Sequence, residues 1–145
     1  MATEAVALVQ RFFELSAGDN PAPVVEVLHP DVVWLGARGG LDEEQVLRGH
    51  DAVVAYLREI REPWQRFEAE LERIIEDGDT VLVLTREVAQ SRQGGPEMHN
   101  DIASMFRVQD GKIGWMRGYL DRDEAFRELK ARGTDRPGRR RDGAA

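Results

Sequence analysis

The chain has no cysteine and so no thiolate nucleophile, and among its candidates for proton chemistry are its carboxylates and three histidines. In the segment Thr80–Ser91, strand alternation puts Val81, Val83, Thr85, Glu87, Ala89 and Ser91 on one face and Leu82, Leu84, Arg86, Val88 and Gln90 on the other. The Glu87 carboxylate and the Arg86 guanidinium therefore point opposite ways. A carboxyl enclosed by apolar surface has its pKa raised, as a general acid or base working near neutrality requires. The same residue at a pocket mouth, or paired with an arginine, would be structural.

In the following segment, Asn100, Ile102, Ser104, Phe106 and Val108 share a face that reads as pocket, and His99, Asp101, Ala103, Met105 and Arg107 share the other. Asn100 and Ser104 could orient a substrate carbonyl or stabilise a developing oxyanion, or simply make core hydrogen bonds. His99 and Asp101 flank one another and could form a second proton-transfer pair. They fit an outer or dimer-facing surface better, unless a bulge near Gly94, Gly95 or Met98 exchanges the two faces. Asp121 suits a cap on a closing helix, and Arg117 and Tyr119 share the parity of Trp115, which suggests packing or an interface.

Trp34, Tyr56, Trp64, Phe12, Phe13, Met116 and Leu120 supply apolar surface that suits either a cavity wall or a plain core. A pocket of mostly apolar walls with few polar groups takes a small apolar molecule. His29, His50 and His99 fall in different elements and lack ligand spacing, so no metal is expected. No glycine-rich loop joins a strand to a helix as a phosphate site would, so no cofactor is expected either.

Positioning these side chains falls to an α+β chain. Ala5, Leu8, Val9, Phe12 and Phe13 recur at helical spacing behind a Thr3 cap, predicting a helix that ends near Gly18. Val24, Val27 and Leu28 predict a short second helix stopped by Pro30, and Asp31–Leu35 a first strand. The polar loop 36–44 is of a kind that gates pockets. A third helix is predicted over His50–Glu62 before Pro63. The period then changes to 2: Phe67, Ala69 and Leu71 alternate with Glu68, Glu70 and Glu72, although helix propensity competes there. Turns at Asp77-Gly78-Asp79, Gln93–Pro96 and Gln109-Asp110-Gly111 separate strands over Thr80–Ser91, Glu97–Val108 and Lys112–Leu120. A helix over Arg122–Ala131 closes the domain, docking through Ala125, Phe126 and Leu129. Because Val81–Leu84 is apolar on both faces, a symmetric homodimer is expected to cover the side the first helices leave bare.

At 145 residues and 41% hydrophobic content, the chain has room for one core, read as a domain over 1–132. The remainder, 133–145, holds four arginines against two aspartates and no large apolar side chain, and reads as a disordered basic tail. The net charge of −7 divides into −9 on the body and +2 on this tail, and the acidic body disfavours nucleic-acid partners. The start lacks a secretory pattern and no segment is apolar enough to span a membrane, so a cytoplasmic location without membrane partners is expected.

The motifs His29-Pro30-Asp31-Val-Val-Trp34, Arg48-Gly49-His50-Asp51, Asp77-Gly78-Asp79-Thr-Val-Leu-Val-Leu, Phe106-Arg-Val-Gln-Asp110-Gly111-Lys112-Ile113 and Tyr119-Leu-Asp121-Arg-Asp-Glu-Ala resemble the SnoaL-like branch of the nuclear transport factor 2-like superfamily. The resemblance covers roughly residues 4–131 and implies a cone-shaped α+β barrel, a curved antiparallel sheet with its N-terminal helices on one face. Polyketide cyclases, ketosteroid isomerases, epoxide hydrolases and dehydratases share this fold, so it does not dictate one reaction. Matching strand ends with the epoxide hydrolases turns Thr85, Glu87 and Ala89 toward the cavity, with Glu87 where those enzymes carry a catalytic aspartate. Their arginine falls on Thr85 and their second acid on Gly118, so the resemblance disfavours epoxide hydrolysis. It leaves a cyclase, isomerase or dehydratase acting on a polyketide-, steroid- or terpene-like substrate. The other reading is a non-catalytic binding or dimerisation module whose cavity is filled by side chains.

Overall fold

The computed structural model describes residues 3–135. Helix α1 (Glu4–Ser16) starts where Thr3 Oγ1 accepts a hydrogen bond from the Val6 amide, and a short 3₁₀ helix (Ala22–Glu26) follows. Then come β1 (Leu28–Arg38), β2 (Val46–Arg48), α2 (His50–Arg61), β3 (Trp64–Asp77), β4 (Thr80–Ser91), β5 (Met98–Gln109), β6 (Lys112–Tyr119) and α3 (Arg122–Asp135). The sheet is curved and open, in the order β2-β1-β6-β5-β4-β3, and antiparallel except where β1 runs parallel to β6.

Three elements differ from the sequence reading. Pro30 does not stop a helix; it lies inside β1, which begins at Leu28. It is tolerated because the β1–β6 pairing is irregular between Leu28 and Val33, so no ladder bond is lost. The polar loop after β1 ends in the short strand β2, which pairs with Val33–Leu35. Strand β3 runs far beyond Phe67–Leu71 because it pairs with β4 along its whole length, from Trp64 opposite Ser91 to Asp77 opposite Thr80. Tertiary pairing here overrides helix propensity. As an edge strand it carries charged side chains, among them Arg66 paired with Glu68 and Glu97, which blunt it against pairing with another chain.

The sheet separates two apolar clusters. On one face Val81, Val83, Phe106 and Trp34 pack with Val9 and Phe12 of α1 and Val53 and Val54 of α2. On the other, Leu82, Leu84, Ala103, Met105 and Tyr119 pack with Ala125 and Leu129 of α3. The surface assigned to a dimer partner at Leu82 and Leu84 is thus covered by the chain's own last helix. That helix continues to Asp135; the rest of the expected basic tail lies outside the described residues. Strand β6 has an extra residue, Gly114, between Ile113 and Trp115, whose neighbours Val108 and Arg107 on β5 are consecutive. Past this bulge Met116 faces the first cluster while Trp115 and Tyr119 face the second.

Truncating Leu129, 8% exposed in the α3 seam, to alanine should cost about 2–5 kcal/mol in denaturant unfolding, and truncating half-exposed Phe126 less than about 1 kcal/mol. Equal losses at the two positions would contradict the assignment of α3's buried face.

Candidate functional site

Between α1, α2 and the concave face lies a cavity of about 400 Å³. One part of its wall is an aromatic group: the Phe12 ring stands 5.4 Å from Trp34 and 5.6 Å from Phe106, and Phe13 stands 5.8 Å from Phe106, centroid to centroid. Leu57 and Ile60 of α2, Phe67 and Ala69 of β3 and Met116 complete most of it. The cavity is open, so side chains do not fill it.

Glu87 lines this cavity. Val81 and Val83 on the same face of β4 are fully buried in the core below it, so regular alternation aims Glu87 inward. Its neighbours across the ladder are Ala69 on β3 and Asn100 on β5. Among the described residues no hydrogen bond or ion pair reaches the carboxylate, and desolvation by burial alone raises its pKa above the usual glutamate range. An unpartnered carboxyl with this shift can take a proton from a bound molecule and return it.

The other cavity residues with polar atoms are differently disposed. Ser104, 8% exposed, lies in the wall beside Phe106. Arg61 reaches the rim from the end of α2, but its guanidinium donates to the Trp64 carbonyl at 2.7 Å and to Asp19 at 3.2 Å. Glu68 at the rim is bound to Arg66, which lowers its pKa. Glu87 is therefore the acid in the wall that lacks a cationic partner. Sequence reading missed Arg61 and Glu68 because they reach the cavity from a helix end and a twisted edge strand, where parity does not indicate facing.

Of the residues predicted to make the site, the structure gathers Glu87, Trp34, Ser104 and Met116 in the wall. Thr85 and Ile102 face one another across the ladder one step deeper than Glu87, Thr85 being buried, and Asn100 is exposed opposite Glu87. Tyr56 stands behind the wall: its hydroxyl donates to Asp42, and burial first, then Asp42, raises its pKa, with smaller contributions from Glu59 and Glu87. Trp64 begins β3 and meets Arg61 through its carbonyl, outside the wall. Leu120 is half exposed beside Gly39. His99 and Asp101 lie on the opposite face, His99 against Glu97 at 3.3 Å and Asp101 against Arg86 at 3.1 Å. Regular pairing from Ala89–Met98 to Thr80–Arg107 contains no bulge to turn that pair inward.

The polar loop after β1 is held by several contacts. Arg38 holds Glu43 at 2.9 Å, the Gly36 amide donates to the Gln45 carbonyl, and Tyr56 holds Asp42. A Cβ on Gly36 would stand 1.6 Å from the Asp42 carbonyl oxygen, so this close approach requires glycine. Among the described residues no cluster of three or more His, Asp or Glu side chains is placed to hold a metal ion, and no helix is long and apolar enough to cross a membrane.

The profile of the SnoaL-like domain matches residues 9–115. Solved structures share the fold. A putative SnoaL-like polyketide cyclase from Jannaschia sp. CCS1 superposes with a TM-score of 0.71 at 21% identity, covering 85% of this chain and 89% of that one. TerC co-crystallized with polyporic acid gives 0.71 at 23%, covering 88% and 98%. A hypothetical protein with a ketosteroid isomerase-like fold from Catenulispora acidiphila DSM 44928, in complex with trimethylamine, gives 0.68 at 12%, covering 77% and 83%. No curated protein matches the chain in sequence.

The sign of Glu87's contribution to stability follows from its raised pKa. Below the unfolded-state value the carboxyl is neutral in both states; through the interval up to the folded value stability falls as pH rises, and above it the full desolvation cost is present. Glu87→Gln should therefore melt higher than wild type at neutral pH, with the difference vanishing below about pH 4. A variant that melts lower at neutral pH would mean that the carboxylate has a stabilising partner.

Proposed function

The chain belongs to the SnoaL-like domain family, and from that premise we propose a cofactor-independent acid/base enzyme that cyclises, isomerises or dehydrates an apolar polyketide-, steroid- or terpene-like molecule. The observation that carries this reading is the lone, desolvated Glu87 carboxyl in an open, largely apolar cavity. The fold shared with a putative polyketide cyclase favours the polyketide class among the three.

In this mechanism the Glu87 carboxylate removes a proton from a carbon next to a substrate carbonyl. The C–H electron pair moves into an enolate, and the glutamic acid so formed returns the proton to a different carbon, to a ring-closure oxygen or to a departing hydroxyl. Ladder neighbours on one face lie about 5 Å apart, so Asn100 is the amide within reach of an enolate oxygen near Glu87. Ser104 is four residues farther along β5, roughly 13 Å at about 3.3 Å per residue, and grips a polar group at the remote end of a long substrate. The rings of Phe12, Trp34 and Phe106 lie past Ser104 in this register and hold the apolar body at that end of the cavity.

The test is a thermal-shift screen of wild type and Glu87→Gln against aromatic polyketides, steroid ketones and terpene ketones, followed by solvent deuterium exchange into any compound that binds. A ligand at 100 times its dissociation constant stabilises by about 2.7 kcal/mol. One class should shift both proteins, and exchange should fall by about 10²–10⁴ in Glu87→Gln. Binding without Glu87-dependent exchange would leave a ligand-binding module, and no binding across the panel would remove the proposal.

A further inference from the structure

A second cavity, of about 290 Å³ and polar in its walls, lies on the opposite face of the sheet between β6 and α3. Arg38, Arg117, Arg127, Tyr119, Glu124 and Glu128 line it. Met116 faces the apolar cavity and its neighbour Arg117 this one, so the two cavities are separated by the thickness of the sheet.

Both acids in these walls are already engaged. Glu124 holds Arg38 at 2.6 Å, and Arg38 also holds Glu43. Glu128 meets Arg132 at 3.7 Å, while Arg132 lies over the Trp115 ring at 4.5 Å. Among the described residues Arg117 and Arg127 have no carboxylate within ion-pair distance. In a chain with 27 acidic residues against 20 basic ones, two such guanidiniums lining one cavity are not explained by an excess of arginine.

The same wall holds buried donors without acceptors. Tyr119 is 2% exposed, and among the described residues neither its hydroxyl nor Arg117 Nε has a hydrogen-bond partner. Burial, the largest cause, raises the Tyr119 pKa, so at neutral pH the hydroxyl carries its proton and can donate. Leaving such groups unsatisfied is costly, and buried polar atoms in folded proteins nearly always find partners. What is missing here is an acceptor, and guanidinium forks match an oxyanion in both charge and geometry.

We propose that this cavity is a binding site for a small oxyanion, a carboxylate or phosphate group, held by Arg117 and Arg127 with the Tyr119 hydroxyl donating to it. The site is independent of the reaction assigned to Glu87. An anion seated there ties β6 to α3, so its occupancy stabilises the helix that covers Leu82 and Leu84.

Inorganic phosphate and acetate, titrated separately into the full chain at an ionic strength fixed with chloride, provide the test, read by the arginine Nε–H signals in nitrogen–proton correlation spectra. Saturable shifts at Arg117 are expected with at least one anion, and the tighter of the two identifies the phosphate or the carboxylate source. Affinity should fall about tenfold or more in Arg117→Gln and in Arg127→Gln, and a few-fold in Tyr119→Phe. Arg127 is exposed on α3, so its variant retains the fold even if Arg117→Gln does not. Unsaturated shifts with both anions, or equal affinity in wild type and Arg127→Gln, would overturn the proposal.

Discussion

Strand β4 is buried on both sides, with Val81 and Val83 under α1 and Leu82 and Leu84 under α3, all at most 7% exposed. Because side chains on a strand alternate, a slip of one residue would exchange these sets and send the Arg86 guanidinium into the apolar cavity and Glu87 out of it. The two helical layers therefore fix the parity of β4. Residues farther along the strand inherit that parity whether or not they are themselves buried. Glu87 points into the cavity for this reason, and no local interaction of its own is needed to hold it there.

From that constraint the rest of the site follows. A carboxyl aimed by distant packing need not be hydrogen-bonded to be positioned, which leaves it desolvated, unpartnered and available to a bound molecule. The neighbouring strands complete the geometry through their registers: Asn100 opposite Glu87, Ser104 farther along β5, and Met116 brought to the same face by the Gly114 bulge. The chain assigns its arginines elsewhere, Arg61 to the α2–β3 junction and Arg38 to the loop after β1. Acid and cation are thus kept apart, so the raised pKa of Glu87 is not cancelled by a salt bridge.

The alternation in Thr80–Ser91 and in the segment after it was legible without a structure, as were the Thr3 cap and the tight turn at Asp110-Gly111, where both residues take positive φ. These signals are local. Pro30 within β1, the parallel β1–β6 pairing and the full length of β3 depend on partners remote in sequence, and no local period encodes them. The apolar residues were legible as buried but not as wall or support. Trp34 reaches the cavity and Trp64 does not, because one sits in mid-strand under α1 and the other at a strand start beside a helix end. Covering β4's second face with α3 was encoded in Ala125 and Leu129, which sequence alone could mark as a docking surface without saying against which strand.

The chemistry proposed for the cavity rests on Glu87 being a desolvated, unpartnered acid there. Its side-chain carboxyl carbon, followed by NMR through a pH titration of the ligand-free protein and identified by its loss in Glu87→Gln, tests this most directly. A desolvated, unpartnered Glu87 has a midpoint clearly above the value of about 4.3 for an unperturbed glutamate. A midpoint at or below that value would show a carboxylate that is solvated or held by a cation, and would contradict the account.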